Sequence, residues 1–460
     1  MRRAFLTALL AATTLAGCAS SAFVTPKVQL PAAYPHGAAT APDADLVARQ
    51  GRWWTGFGDP QLNQLVEAVL AHNNDLAAAA ILVRRAQLQA DLAGTELLPQ
   101  LSGGADATTS RSDNGSTRSH SASLSASYEV DLWGRLGAQR DAARWEAQAT
   151  AQDLEATRLT LIGTTIDLYW QLAFLNQRIA TAEQSLAYAR RTQTLVEAQY
   201  RAGQVSGVEI AEAEQSVRSQ ESTLADLEQQ RVETRAALAL LLSGPSWSAE
   251  NEPQVLPANA PPPPPEGQPA ELLGRRPDLR AAELRLRSAL SSVDATRASF
   301  YPTLGLTGSI GGSSSALSNL LANPVATLGA GVTLPFLNFN QARLNIRVSQ
   351  ADYELAVVNF RQTLLQAFTD VDNALSARTQ LAAQGVSLDR SLAAARRAEQ
   401  LYEVRYRAGA VPLRTWLDAQ EARRNAEIAQ AQNMLERLSN QVAIYEALGG
   451  DLAGTSRPAS

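Results

Sequence analysis

The sequence predicts a mainly α-helical fold with a smaller β part, built twice in one chain. The motif Tyr200-Arg201-Ala202-Gly203 recurs as Tyr406-Arg407-Ala408-Gly409, and each copy separates two long helical patterns. Three further motifs recur in the same order: Asp75-Leu76 as Asp278-Leu279, Pro99-x-Leu101 as Pro302-x-Leu304, and Leu242-Ser243-Gly244 as Leu448-Gly449-Gly450. Two copies of a unit of about 200 residues indicate duplication rather than a short-period solenoid.

Composition and charge limit the function of the chain. Its 460 residues are 45% hydrophobic and 18% charged, which is typical of a folded protein. A net charge of −5 gives no basic surface for nucleic acid. Lys27 is the only lysine and is not part of a phosphate-binding loop, so ATP hydrolysis is excluded. With no nucleophile–base pair and no spacing of metal ligands, the sequence predicts neither an enzyme nor a cofactor.

The first 17 residues have the pattern of a secretion signal. Two arginines precede a short apolar run, which ends in Leu15-Ala16-Gly17-Cys18. This ending resembles a bacterial lipobox, so Cys18, the only cysteine, is predicted to carry the lipid at the mature N-terminus. Ala19 after it favours sorting to the outer membrane. The alternative is an ordinary signal peptide with a chance cysteine.

The remaining chain divides at changes in composition. Residues 18–50 are rich in Ala, Pro and Thr and are predicted to form a lipidated tether. The first repeat covers 51–252, and the second covers 270–450. Residues 253–269 form a proline-rich, stiff linker between them, and 451–460 are predicted to be a flexible tail. We expect strands at about 100–132 and 303–336, and long helices at about 137–243 and 341–448.

The clearest β signal lies in residues 122–132. Apolar side chains alternate there with serines and acids, which gives one apolar and one polar face. The second half repeats this alternation in 304–310 and 326–334. A soluble sheet would show the same alternation. However, strands of roughly 10–14 residues with Ser, Thr and Gly on the polar face favour a membrane β-barrel with a water-filled lumen. Four strands cannot close a barrel, so eight, twelve or sixteen from several copies are predicted.

The helical patterns are unusually long. From about residue 137 to about 202 there is no proline and, after Gly137 at the start, one isolated glycine, Gly163. This stretch predicts a helix of roughly 100 Å. Residues 341–408 match it, and a shorter helix follows each break. Apolar residues occupy heptad positions in both shorter helices: Ile210, Ala213, Val217, Leu224, Leu227, Leu238 and Leu241, then Ile428, Ala431, Leu435, Leu438, Val442 and Tyr445. Alanine on neighbouring faces favours a closed wall of helices over a coiled coil with one seam.

An ordered series of motifs carries a family resemblance over residues 50–450. The motifs are Trp53-Trp54, Phe57-x-Asp59-Pro60-x-Leu62, Asn74-Asp75-Leu76, Tyr128-Glu129-Val130-Asp131-Leu132-Trp133-Gly134-Arg135, Arg275-Arg276-Pro277-Asp278-Leu279, Phe300-Tyr301-Pro302-Thr303-Leu304, and Tyr406-Arg407-Ala408-Gly409 through Leu417-Asp418-Ala419-Gln420. The chain resembles the TolC-like outer-membrane factors, in the NodT/OprM-like lipoprotein branch that serves RND-type efflux.

This resemblance implies a homotrimer with a twelve-stranded β-barrel in the outer membrane and a twelve-helix α-barrel through the periplasm of a Gram-negative cell. It also implies a passive exit duct, anchored by lipid, that docks on a periplasmic adaptor protein and an inner-membrane RND pump. Drugs or other small toxic compounds would be its cargo. Metal ions or a secreted polypeptide are alternatives within the fold, and a periplasmic coiled-coil scaffold lipoprotein is an alternative of another class.

The resemblance places adaptor docking at the two repeated motifs. The docking residues would be Tyr200, Arg201, Ala202 and Gly203 in the first half and Tyr406, Arg407, Ala408 and Gly409 in the second. Gly203 and Gly409 can adopt the left-handed conformation that ends a helix. The simpler alternative is that both motifs only terminate helices.

Candidate gate residues follow each turn. Asp418 matches an acidic position at the closed aperture of relatives, and Glu209 is the corresponding acid in the first half. A ring of such carboxylates would favour cations, and Arg405, Tyr406 and Arg414 are candidate latch partners. The alternative is that both acids only complement the helix dipole. Because Arg414 and Asp418 follow one turn and Glu209 the other, we expect an asymmetric gate.

Overall fold

A computed structural model describes residues 21–26, 28, 31, 33–37, 52–113, 115–244, 247–260 and 272–450. The predicted signal peptide 1–17, Cys18, the tail 451–460 and most of the proline-rich linker lie outside these ranges. The chain forms two compact units. The sheet unit contains residues 80–154 and 278–364 with the first described residues, and the helical unit contains 31–79, 155–277 and 365–450.

The first half begins with a 3₁₀ turn, Trp53–Phe57, and contains four helices and two strands. They are α1 (Pro60–His72), α2 (Asn74–Thr95), β1 (Gln100–Ser112), β2 (Gly115–Val130), α3 (Arg135–Arg201) and α4 (Gly207–Leu241). Asp59 begins α1, because its carboxylate accepts hydrogen bonds from the amides of Gln61 and Leu62.

The second half repeats this order after a helical turn, Leu272–Arg275. It contains α5 (Pro277–Ala298), β3 (Thr303–Ser314), β4 (Val325–Thr333), α6 (Phe339–Arg407) and α7 (Leu413–Ala447). The chain is therefore mostly helical with a four-stranded sheet, which confirms that part of the predicted fold class. Among the described residues no single helix is long and apolar enough to cross a membrane, and α1 and α2 would qualify only as a pair bent by 45°.

The four strands form one antiparallel sheet in the order β1-β2-β3-β4. Each strand pairs with its neighbour in sequence, including β2 with β3, which come from different halves. The duplication therefore contributes one hairpin from each half to a single sheet. This arrangement leaves the outer edges of β1 and β4 without a partner strand among the described residues.

A set of side-chain contacts fixes the step from β2 into α3. Arg135 donates to both carboxylate oxygens of Glu129 at 2.8 Å. Asp131 accepts from the amides of Leu136 and Gly137 at 3.1 and 2.8 Å, so it satisfies free N–H groups in the first turn of α3. The motif that carries part of the family resemblance is therefore a capping structure between strand and helix.

The sheet unit also binds the chain's first described residues. The amide and hydroxyl of Ser21 donate to the buried carboxylate of Asp294 at 2.7 and 2.6 Å. Phe23 lies against the guanidinium of Arg287, 4.2 Å from ring centre to carbon. This part of the predicted tether is therefore held on α5.

The helical unit is organised around one aromatic core. Trp54 and Tyr169 are almost fully buried, and Trp53 stacks on Tyr445 with ring centres 4.6 Å apart. Tyr169 donates to Asp59 at 2.7 Å, which ties the cap of α1 to α3. Nine of the thirteen predicted heptad residues are buried, and all nine belong to core clusters: Ala213, Val217, Leu227, Leu238, Ala431, Leu435, Leu438, Val442 and Tyr445. Ile210, Leu224 and Leu241 pack beside these clusters, and Ile428 is half-buried.

Gly163 is explained by a close approach inside this unit. A β-carbon at this position would collide with the carboxyl group of Glu446 in the last turn of α7. A glycine in a helix interior normally costs roughly 0.5–1 kcal/mol relative to alanine. The close contact between α3 and α7 therefore depends on the absence of a side chain at Gly163.

We predict that Gly163→Ala destabilises the protein by roughly 1–3 kcal/mol, because the overpacking outweighs the gain in helix propensity. The measurement is the thermal unfolding midpoint of the helical circular dichroism signal. Gly94→Ala in α2 is the control, since its new carbon would be 3.9 Å from the nearest atoms, in Arg140. A Gly163→Ala midpoint at or above that of the control contradicts the prediction.

Candidate functional site

The register of the sheet separates its side chains onto two chemically different faces. Paired residues in adjacent antiparallel strands lie on the same face. Leu101, Leu124, Tyr128, Val130, Leu304, Leu306, Ile310, Leu328 and Val332 all share one face. Ser102, Ser125, Ser127, Thr307, Ser309 and Thr327 share the other. The alternation predicted from the sequence is therefore confirmed as one apolar and one small, polar face.

The apolar face is strongly exposed within one chain. Leu328 is 91% exposed and Leu101 is 73% exposed. Contiguous apolar surface of this kind marks a contact with lipid or protein. The opposite face carries hydroxyl groups and glycines, which suit contact with water.

Both repeated turns end their long helix in the same way. Gly203 and Gly409 have φ values of 70° and 72°, in the left-handed region predicted for them. The amide of Gln204 bonds to the carbonyl of Gln199, and the amide of Ala410 bonds to that of Arg405, each at 2.9 Å. Together with the bond from each glycine amide, this is the Schellman pattern, which satisfies the last carbonyls of a helix.

The two tyrosines of the repeated motif have different environments. Tyr200 is 52% exposed, whereas Tyr406 is 6% exposed. Tyr406 stacks on Trp416 at 5.1 Å, and its hydroxyl donates to the side chain of Gln199 at 2.7 Å. Burial, with the charge of Glu209, raises the pKa of the Tyr406 hydroxyl. Tyr406 therefore holds the two turns together within one chain.

Glu209 belongs to a capping box at the start of α4. Its carboxylate accepts from the amide and the hydroxyl of Ser206 at 2.9 and 2.6 Å. The hydrogen bonds from Ser206 lower the pKa of Glu209. This arrangement gives Glu209 a structural role, and its gate role stays a prediction.

Asp418 forms an ion pair with Arg414, one turn earlier on α7, at 2.9 Å. Both side chains are more than half exposed. Pro412 begins α7 without a side-chain cap, unlike Ser206 in the first half. The structure therefore brings two of the predicted gate residues together, while Arg405 lies exposed at the end of α6. The latch itself stays a prediction.

A buried carboxyl group between α3 and α7 was not predicted. Burial, together with the charge of the nearby Asp167, raises the pKa of Glu446 to about 7, whereas Arg276 opposes the shift. Burial also raises the pKa of Asp167, against a hydrogen bond with Ser439. One sequence signal could have found the site, because an acid in the last turn of a helix opposes the helix dipole.

The family model of the outer membrane efflux protein matches residues 65–244 and 269–450. The chain belongs to the outer membrane efflux protein family. One matched segment lies in each predicted repeat. The predictions of family, outer-membrane location and efflux function are therefore confirmed.

Individual relatives match this chain over most of its length and support the assignment to the family. The pyoverdine export outer membrane protein OpmQ of Pseudomonas putida is 36% identical over 424 residues, covering 89% of this chain and 90% of the relative. Toxin and drug export protein A of Aggregatibacter actinomycetemcomitans is 32% identical over 407 residues, covering 86% and 88%. The open state of the Neisseria gonorrhoeae MtrE outer membrane channel is 29% identical with a TM-score of 0.79, covering 95% and 99%.

We predict that Glu446 makes stability depend on pH between about 4.5 and about 7. Because its pKa is raised in the folded state, the contribution of Glu446 to stability is fully present below about pH 4.5 and is lost as the pH rises through this window. Glu446→Gln should remove most of this loss and raise stability at pH 8 by up to about 3 kcal/mol. Thermal unfolding measured from pH 4 to 8 checks it.

The control is Glu436→Gln, which removes a carboxylate from the same helix. The Glu436 variant should lose stability with rising pH in the same way as wild type. In the Glu446 variant, only the smaller loss that is due to Asp167 should remain. If wild type and Glu446→Gln lost equal stability between about pH 4.5 and about pH 7, Glu446 would not be the cause of the pH dependence.

Proposed function

We propose that this efflux protein is a homotrimeric exit duct, with a twelve-stranded barrel in the outer membrane and a twelve-helix barrel below it. It would act passively and dock through its helical turns on a periplasmic adaptor and an inner-membrane RND pump. The observation that carries the proposal is the sheet with one exposed apolar face and two open edges.

The open edges support pairing with other copies of the chain. β1 has 13 residues and β4 has 9, and exposed strand edges of this length are sites of strand pairing. Pairing β4 of one copy with β1 of the next would extend the sheet by four strands per copy. Three copies, the number that the family resemblance implies, would give twelve strands with the apolar face towards lipid and the polar face towards water.

The exposed turns at Gly203 and Gly409 support a docking role for the ends of the helices that they connect. Arg201, Ala202 and Gly203 are exposed in the first turn, as are Arg407, Ala408 and Gly409 in the second. Since Tyr406 and Trp416 hold the two turns on one small core, both would be presented to an adaptor as one rigid surface. We further propose that Cys18 carries the lipid anchor.

Small organic compounds are the proposed cargo. The printed names of two relatives refer to export of pyoverdine and of toxins and drugs. The protein itself would not select the cargo, because the inner-membrane pump would choose the substrate and the duct would only conduct it.

We predict that the detergent-solubilised protein is a trimer that conducts ions in a planar bilayer, and that its two sheet faces respond differently to arginine. Leu328→Arg should reduce the amount of membrane-inserted trimer severely, because arginine facing lipid costs roughly 2–4 kcal/mol near the bilayer centre. Light scattering and conductance after extraction from membranes measure the result.

Thr327→Arg is the matched control, since it places the same side chain one residue away on the polar face. It should insert normally and change only conductance. A monomeric, non-conducting wild-type protein, or equal loss of insertion in both variants, would refute the proposal.

We also predict that Asp418→Ala raises single-channel conductance, because the substitution breaks the ion pair with Arg414 at the proposed aperture. Glu214→Ala is the control, since Glu214 forms an exposed pair of the same spacing with Arg218 on α4. Unchanged conductance in Asp418→Ala, or an equal rise in both variants, would remove Asp418 from the gate.

A further inference from the structure

A polar cavity of about 520 Å³ lies inside the helical unit. Its walls come from α3, α4, α6 and α7, so both halves of the chain contribute to it. The volume falls in the range of small-molecule sites, roughly 300–1,000 Å³. Neither the efflux family nor the proposed duct assigns a ligand to it.

The carboxylates that line the cavity already have partners. Glu399 pairs with Arg423, and Glu427 pairs with both Arg423 and Arg396. The third, Glu403, accepts a hydrogen bond from the Tyr188 hydroxyl at 3.2 Å and pairs with Arg407 outside the cavity. No acidic side chain in the described lining is therefore left to bind a cation.

Two guanidinium groups on the same cavity differ from these. Within the described part of the chain, neither Arg178 on α3 nor Arg424 on α7 forms an ion pair with a carboxylate. Burial lowers the pKa of both, which shows that their positive charge is poorly solvated. Asp226 opposes the shift of Arg178. The neighbouring Arg423 adds to the shift of Arg424, and the charges of Glu421, Glu399 and Glu427 oppose it without forming an ion pair.

Partly desolvated cations that lack a direct ion-pair partner favour binding of an anion. Arginine is suited to this role, because its planar fork binds carboxylates in a bidentate geometry. Arg424 also lines a second cavity, of about 250 Å³, between α4 and α7, so it can be reached from two sides.

The rest of the lining indicates what kind of anion would fit. Thr181, Gln220 and Thr223 can donate hydrogen bonds, while Leu227, Ile428 and Ala431 supply apolar surface. A small inorganic anion would leave this apolar surface unused. An organic anion with a ring or alkyl part and one or two carboxylates matches both.

We propose that this cavity is a binding site for a small organic carboxylate, held between Arg178 of the first half and Arg424 of the second. Occupation would bridge α3 and α7 and would stabilise the folded protein in proportion to ligand concentration. The site rests on the monomer's own helices and does not depend on the proposed duct.

The test is isothermal titration calorimetry of the purified full-length protein with phthalate, at constant ionic strength. Dimethyl phthalate has the same ring without the charges and is the matched neutral probe. We expect phthalate to bind and the ester not to bind. Arg178→Gln and Arg424→Gln should each weaken phthalate binding at least about tenfold, the loss expected for one charge-assisted contact.

Arg190→Gln is the control, because Arg190 lies on the same helix as Arg178 but pairs with Glu221 at 2.9 Å and does not line the cavity. Without ligand, both cavity variants should unfold at the same temperature as wild type or higher, since each loses a partly desolvated charge that forms no ion pair. Arg178→Met and Arg424→Met replace any glutamine variant that fails to fold. No phthalate binding, equal binding of the ester, or unchanged affinity in the cavity variants would overturn the proposal.

Discussion

The packing of α1, α3, α4 and α7 depends on one buried aromatic core, because a single helix in water gains little stability from its own hydrogen bonds. Trp53 comes from the start of the first repeat, and Tyr445 comes from the end of the second, yet the two rings stack at 4.6 Å. Tyr169 joins them from the middle of α3 and bonds to the cap of α1. Four helices therefore share one hydrophobic anchor. The close approach of Gly163 to Glu446 and the burial that raises the pKa of Glu446 both come from packing α3 and α7 in the same unit.

The duplication preserved local structure and allowed side-chain environments to diverge. Both turns use the same hydrogen-bond pattern around Gly203 and Gly409. Beyond the turns the halves differ, since Ser206 and Glu209 cap α4 whereas Pro412 begins α7. Backbone geometry tolerates few alternatives at a left-handed position, but the surrounding side chains can change freely. The expected asymmetry of the gate therefore has a structural counterpart in one chain.

Arginine carries nearly all of the positive charge, and the contacts show why this matters. Arg235 binds the buried carboxylate of Glu252 through two bonds of 2.7 Å, and Arg135 binds Glu129 in a similar way. Lysine would satisfy only part of such an arrangement. Arg178 and Arg424 remain positively charged in the cavity, since a guanidinium stays charged even where burial makes the charge unfavourable. Paired arginines stabilise this fold, and the proposed anion site uses two arginines of the cavity that form no ion pair within the described residues.

The sequence alone determined the elements whose causes are local. Strict alternation predicted both faces of the sheet, heptads predicted nine buried hydrophobic residues of α4 and α7, and two glycines predicted the helix ends. It could not show that Tyr406 is buried while Tyr200 is exposed, that Glu446 is shielded from water, or that Ser21 reaches Asp294. Periodicity and turn chemistry act over a few residues, whereas burial and desolvation are set by residues far apart in the chain. Only the tertiary structure brings those residues together.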